Sequence, residues 1–135
     1  MNKYHNKKTV LDGIKFDSKK EANRYAELKL MKNAGEIWGL ILQPRYTIIE
    51  GFEYKGKKIR KSEYVADFAY YEKGQEYVIE DVKSDFTRKD PTYRLKKKLL
   101  LARIATEPWN LIHAPLMATE EMLRTVTVKF VEFLN

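Results

Sequence analysis

The chain has 135 residues, of which 26 are basic and 19 acidic, giving a formal net charge of +7, and it contains no cysteine. That length points to one domain with a buried core. The 44% of aliphatic and aromatic residues excludes a disordered tail. The missing cysteines exclude disulfides, thiol nucleophiles and thiolate zinc sites, and they suit a reducing cytoplasm. No apolar run approaches the roughly 20 residues of a membrane span, and no charged-then-apolar leader opens the chain, so neither anchor nor secretion signal is expected.

Residues 1–12 are polar and basic, an arm or short edge segment, and Asp12-Gly13 is a turn signal. Asp17-Ser18 opens a helix predicted to run to about Asn33, with Gly35 as its C′ residue. Leu40-Ile41-Leu42 and Tyr46-Thr47-Ile48-Ile49 read as strands split by Pro44, and Tyr54-Lys55-Gly56-Lys57 reads as a turn. Two strand-like runs follow, Tyr64 to Tyr71 and Tyr77 to Lys83, joined by a turn over Glu72 to Glu76. Asp85 to Asp90 reads as a polar loop, and Pro91 as the first residue of a second helix reaching about Ile104. Tyr93, Leu95, Leu99, Leu100 and Ala102 would be its apolar contacts, with Arg94 and Lys96 to Lys98 in water. Residues 105–115 look irregular, and Met117 to Arg124 reads as a short helix. Thr125 to Leu134 is a strand with apolar residues on both faces, as an inner strand has. A strand, a helix and a strand in succession predict a right-handed crossover, which sets this last strand parallel to its neighbour. The pattern is α/β: a single domain with a mixed sheet of about four or five strands flanked by helices.

The chemistry lies in the two central runs. Each places an acid, Asp67 or Asp81, inside a β-favouring stretch where acids are depleted. Side chains alternate across a strand, so Asp81 and Lys83 share a face with Tyr77 and Ile79, and Glu80 points the other way. If Tyr71 pairs with Tyr77, Asp67 lies opposite Asp81, an arrangement that destabilises the pair unless a cation sits between them. Oxygen ligands alone favour Mg²⁺ or Mn²⁺ over Zn²⁺. Glu21 is a third acid. Ser18-Lys19-Lys20-Glu21 is a capping-box pattern, which is the simpler account of Glu21 alone. On a helical wheel, however, Glu21 aligns with Tyr25 and Leu28 on the face turned to the sheet.

These residues resemble the PD-(D/E)XK nuclease superfamily. The likeness runs from Glu21 through Gln43-Pro44 and Val65-Ala66-Asp67-Phe68 to Ile79-Glu80-Asp81-Val82-Lys83-Ser84. It continues into the basic helix Tyr93-Arg94-Leu95-Lys96-Lys97-Lys98. The chain is similar to small phage-encoded endonucleases and Holliday-junction resolvases of that superfamily, and in layout to the end-cleaving subunit of a heteromeric bacterial transposase. Ala66 stands where the superfamily name has a proline, and residues 105–125 fall outside the pattern as an insertion. The resemblance implies a restriction-endonuclease-like core and a Mg²⁺-dependent endodeoxyribonuclease. Asp67, Asp81, the Val82 carbonyl and Glu21 would hold the metal. Lys83 would orient and help deprotonate the attacking water and offset charge on the phosphate, and Gln43 would contact that water or the scissile phosphate. It also implies DNA as partner, 5′-phosphate products, a two-fold dimer and, for a phage-encoded protein, the cytoplasm of a bacterial host.

Arg88, Lys89, Arg94, Lys96, Lys97 and Lys98 follow the acidic strand and would hold phosphates beside the cut, with Lys57 and Lys58 as a second basic run. Tyr64, Tyr70, Tyr71 and Tyr77 read as strand packing rather than a base-stacking platform. His113 reads as a partly buried structural histidine, and His5 gives no signal. Two other readings compete with the nuclease: a subunit that cuts only within a complex, docking through 105–125, and a non-catalytic nucleic-acid-binding module.

Overall fold

The computed structural model describes residues 8–73, 76–112 and 126–134. A short hairpin, β1 (Thr9–Leu11) and β2 (Ile14–Phe16), turns through Asp12 and Gly13 and leads into helix α1 (Lys19–Asn33). The Ser18 Oγ caps α1 by accepting the Glu21 amide (3.1 Å). At the other end Gly35, with φ of 76°, takes the left-handed position that glycine adopts without a Cβ clash. The Gly35 and Glu36 amides bond back to Lys32 and Met31, closing the helix as a Schellman motif.

The main sheet has four strands in the order β10, β9, β8, β3. Strand β8 (Phe68–Glu72) runs antiparallel to both β3 (Ile37–Leu42) and β9 (Glu76–Lys83), whereas β10 (Thr127–Leu134) runs parallel to β9. The mixed sheet and the parallel last strand match expectation. However, β10 is an edge strand of this sheet rather than an inner one. Its apolar residues serve two separate cores instead: Val128 and Phe130 pack on one face of the sheet and Val131 on the other. No helix among the described residues is long and apolar enough to cross a membrane.

Each face of the sheet carries its own core and its own helix. On one face, Ala22, Tyr25 and Leu28 of α1 pack against Phe68, Tyr70 and Val78. On the other, Leu100 of α3 (Pro91–Thr106) joins Ala69, Tyr71, Tyr77 and Ile79. The tyrosines at 64, 70, 71 and 77 are all buried, as the packing reading requires. Helix α3 starts at Pro91 with Asp90 as its cap, as expected. Its apolar face is narrower than the composition implied: Leu100 is buried, while Leu95 and Ala102 face water. The stretch read as a polar loop holds a short helix, α2 (Asp85–Arg88), nucleated by Ser84, whose hydroxyl accepts the Thr87 amide. A 3₁₀ turn (Pro108–Asn110) follows α3, and it leaves Trp109 exposed. The short helix read over Met117 to Arg124, as well as His5 and His113, lie outside the described residues.

The run Tyr64 to Tyr71, read as one strand, is two. Strand β7 (Ser62–Val65) pairs with β4 (Arg45–Ile49), and β8 pairs with β3 and β9. The chain bends at Ala66 and Asp67, where the Ala66 amide bonds the Pro44 carbonyl (3.1 Å). Between β4 and β7 lies a hairpin of β5 (Phe52–Tyr54) and β6 (Lys57–Ile59), closed by Lys55 and Gly56.

Candidate active site

The ladder between β8 and β9 pairs Tyr71 with Tyr77 and Phe68 with Glu80, the register from which Asp67 was expected to face Asp81. The bend adds a feature that alternation alone does not provide. The Asp67 amide donates to Asp81 Oδ1 (3.0 Å), and the Val82 amide donates to Asp67 Oδ2 (2.7 Å). With the preceding strand turned away toward β4, the Asp67 carboxylate takes up the Val82 amide. Each aspartate is therefore fixed by a backbone group of the other strand, and the two side chains are not free to move apart.

Asp81 is fully buried. Its Oδ2 accepts the Tyr64 hydroxyl and lies 3.7 Å from Lys83 Nζ. Burial pushes the Asp81 carboxyl up to about 6, with Lys83 and the Asp67 amide only partly offsetting it. Asp67 is raised for the same reason, again opposed by Lys83 and by the Val82 amide. Lys83 lies 5.3 Å from the centre of the Tyr93 ring, so its ammonium has an aromatic face on one side and a carboxylate on the other.

Glu21 is buried on the inner face of α1, in line with Tyr25 and Leu28. The capping box forms only in half: Ser18 takes the Glu21 amide, and the Glu21 carboxylate makes no hydrogen bond or ion pair among the described residues. Burial and then repulsion from Asp67 raise it to about 7, with Asp17 and Asp81 adding to the negative field. An acid held without a partner beside two others is the pattern expected of a site rather than a cap.

Gln43 reaches the site through its backbone, its amide donating to the Asp67 carbonyl (2.9 Å). Its φ of 50° is a left-handed conformation uncommon outside glycine and asparagine, and its side chain is exposed. Among the described residues no group of three or more acidic or histidine side chains is gathered closely enough to hold a metal ion on its own. The donors nonetheless fit a hard divalent cation in kind, because all are oxygens and they carry excess negative charge that a cation would relieve. The fit is one of charge and donor type, with two aspartates pinned and Glu21 standing beside them.

Glu132 belongs to this neighbourhood and sequence reasoning missed it. It pairs with Asp81 in the parallel register of β10 on β9, so the two acids share a face. Its carboxylate accepts the Tyr93 hydroxyl, lies 3.0 Å from Lys97 Nζ and 3.3 Å from Arg88 Nε. Burial opposes its ionisation, but Tyr93 and Lys97 outweigh that and hold the carboxyl below its ordinary value. The signal was available, since Val128, Phe130 and Glu132 alternate as an acid ending an apolar face.

The basic residues divide into groups. Arg88, Lys89, Arg94, Lys97 and Lys98 line one cleft of about 440 Å³ together with Glu132. Lys96 is exposed on α3 and does not line it. Lys57 and Lys58 are on β6, exposed on the hairpin. Glu80, excluded as a ligand by alternation, is indeed on the opposite face, where Arg24 and Tyr70 bind it.

Residues 1–114 match the model of a family described as protein of unknown function (DUF1064), and the chain belongs to that family. No curated protein and no solved structure matches it.

Proposed function

We propose that this DUF1064 protein is a metal-dependent endodeoxyribonuclease that hydrolyses phosphodiester bonds in branched DNA and leaves 5′-phosphate ends, on a restriction-endonuclease-like core. The observation that carries this reading is the mutual pinning of Asp67 and Asp81 by the Val82 and Asp67 amides, with Lys83 3.7 Å away. Two like charges buried and fixed together cost stability. Chemistry on a phosphate is a reason for a fold to retain them.

Asp67, Asp81, the Val82 carbonyl and Glu21 would hold Mg²⁺, or Mn²⁺ in its place. Such an ion supplies Lewis-acid polarisation of a phosphoryl oxygen and a template for in-line attack. Lys83 orients the attacking water and offsets charge that develops on the phosphate. Arg88, Lys89, Arg94, Lys97 and Lys98 hold flanking phosphates and so position the strand without reading its bases. A two-fold dimer would supply the second active site that symmetric cutting needs.

The test is cleavage of an immobile four-way junction beside the matching linear duplex, with Mg²⁺ or EDTA, by wild type and Asp81→Ala. Junction cutting that needs Mg²⁺ and is lost in Asp81→Ala supports the reading, and equal cutting of both substrates removes the branch preference. DNA binding without cutting of either substrate overturns the free-standing enzyme. It leaves a subunit that cuts only in a complex, for which the exposed Trp109 before residues 113–125 is a docking point, or a non-catalytic module.

A further inference from the structure

The hairpin β5–β6 continues the β4–β7 ladder in register. Ile49 pairs with Ser62 and Phe52 with Ile59, three residues further along each strand, and Glu53–Lys58 and Tyr54–Lys57 follow. The four short strands therefore make one two-stranded arm. Its root is the active-site corner, where the Gln43 amide bonds the Asp67 carbonyl and the Ala66 amide bonds the Pro44 carbonyl. Its tip is Lys55 and Gly56, both at positive φ, as a two-residue turn matched to strand twist requires. At about 3.3 Å per residue, the stretch from Val65 back to Lys57 reaches roughly 27 Å. The joint between the two halves is held. A Cβ on Gly51 would meet the Ile59 carbonyl at 3.2 Å, and Arg103 Nη1 reaches Glu50 from α3 at 3.6 Å.

Beyond that joint the arm pairs only with itself, and every residue from 49 to 61 is exposed. Directly opposed residues share a face, so Phe52, Tyr54, Lys57 and Ile59 lie together on one side. Phe52 is 53% exposed and Tyr54 60%. A two-stranded ribbon with a bare aromatic face is marginal in water by itself, so the face calls for a partner. Charge says which partner. From Phe52 to Lys61 the arm carries Lys55, Lys57, Lys58, Arg60 and Lys61 against Glu53 alone. Lys58 opposes Glu53 across the strands, whereas Lys57 stands on the aromatic face and Lys55 Nζ lies 5.5 Å from the Tyr54 ring centre. Flat rings beside ammonium groups are the chemistry that holds unpaired bases and their phosphates.

We propose that this arm is a second nucleic-acid contact that stacks unpaired DNA bases on Phe52 and Tyr54 and holds their phosphates with Lys55 and Lys57. The contact rests on DNA being the partner of the acidic site, and not on that site being catalytic. It gives the branch preference a physical source. Unpaired or unstacked bases at a junction would be gripped by an arm rooted beside Asp67.

The test uses the full chain in EDTA, so that nothing is cut. A short oligo-dT with a central 2-aminopurine is titrated against wild type, Phe52→Ala/Tyr54→Ala, Phe52→Trp and Lys55→Gln/Lys57→Gln over a range of salt. Wild type is expected to change the 2-aminopurine emission on binding. The double alanine variant should bind at least about tenfold more weakly, with an unchanged salt slope and no emission change. Phe52→Trp should bind as wild type does. The double glutamine variant should keep the emission change and lose about 1.4 from the salt slope. Equal binding by the double alanine variant overturns the proposal. So does the same variant turning a dimer into a monomer in sedimentation while DNA binding is unmoved. Cleavage plays no part in these readouts. The arm therefore stands if Asp81→Ala shows the protein is not a nuclease, and Asp81-dependent cutting stands if the arm fails.

Discussion

Glu80 and Asp81 are neighbours in β9, both sealed from water, and they face opposite electrostatic surroundings. Glu80 points to the α1 face, where the Arg24 guanidinium grips both carboxylate oxygens and the Tyr70 hydroxyl donates at 2.6 Å. Its charge is matched there by an opposite charge and a hydroxyl donor. Asp81 points to the other face, toward Asp67 and Glu132; it too accepts a hydroxyl, from Tyr64, and the Asp67 amide, but its cation, Lys83, stands 3.7 Å away and burial lifts its carboxyl to about 6. The first arrangement is what a stable fold does with a buried acid. The second costs stability, and the two acids differ in their partners although both are fully buried.

The largest effect should come from the functional face. Lys83→Met is expected to lower the single-turnover cleavage rate about 10²- to 10⁴-fold, the usual range for a group that handles a proton or the water. DNA affinity in EDTA should change little. A rate within threefold of wild type would take Lys83 out of the chemistry.

On the structural face the same experiment should read differently. Glu80→Gln leaves the Arg24 charge facing a neutral partner in a buried setting. It should cost about 3 kcal/mol, which is on the order of 10 °C in melting temperature. Because Arg24 shares α1 with Glu21, cleavage at a temperature where the variant is folded reports whether this pair also positions Glu21. Arg24→Met with Glu80→Gln together should recover part of the loss, since no buried charge is then left unpaired and Glu27, which loses Arg24, is exposed.

The acids also predict a pH dependence of known sign. Glu21 and Asp81 have carboxyls raised from ordinary values of 4.5 and 3.8 to about 7 and about 6. Between those limits the native state holds more protons than the unfolded state, so their stabilising contribution is full below about pH 4 and is lost as pH rises toward 7. At about 1.4 kcal/mol for each pH unit between the ordinary and the raised value, the loss should be several kcal/mol, on the order of 6. Denaturant midpoints from pH 4 to 8 measure it, and Glu21→Gln should flatten the upper part of the curve. A wild-type curve that rises over that interval would contradict the assignment.

The smallest effect should be at Glu132, which occupies Lys97 and Arg88 in the basic cleft. Glu132→Gln releases Lys97 for phosphate and removes one partner of Arg88. DNA affinity at low salt should rise several-fold, and the salt slope should steepen by about 1. An unchanged slope would mean that Lys97 does not reach the backbone.

Much of this was legible in the sequence, because alternation and hairpin register are local rules. The Tyr71–Tyr77 pairing, the opposition of Asp67 and Asp81, the turn of Glu80 to the opposite face of the sheet and the inward face of Glu21 all followed from counting residues. What escaped depends on which distant element comes alongside. Nothing near Ala66 and Asp67 in sequence announces that the strand leaves one ladder for another, since Pro44, which takes the Ala66 amide, lies far upstream. Glu132 was passed over because its register against Asp81 depends on a parallel crossover. Leu95 and Ala102 were assigned to the core by residue type, yet α3 buries only the narrow stripe that meets the sheet. Arg24 could not be matched to Glu80 because helix-to-strand pairs have no fixed spacing in the chain.

The most direct test of the central claim is a thermal melt of wild type and Asp81→Asn at pH 8, each with and without Mg²⁺. If Asp67 and Asp81 are like charges kept for a cation, the asparagine variant should melt higher than wild type without Mg²⁺. Adding Mg²⁺ should then raise wild type and leave the variant unmoved. An asparagine variant that melts lower than wild type, together with a wild type indifferent to Mg²⁺, would contradict the account and make Asp81 a structural residue like Glu80.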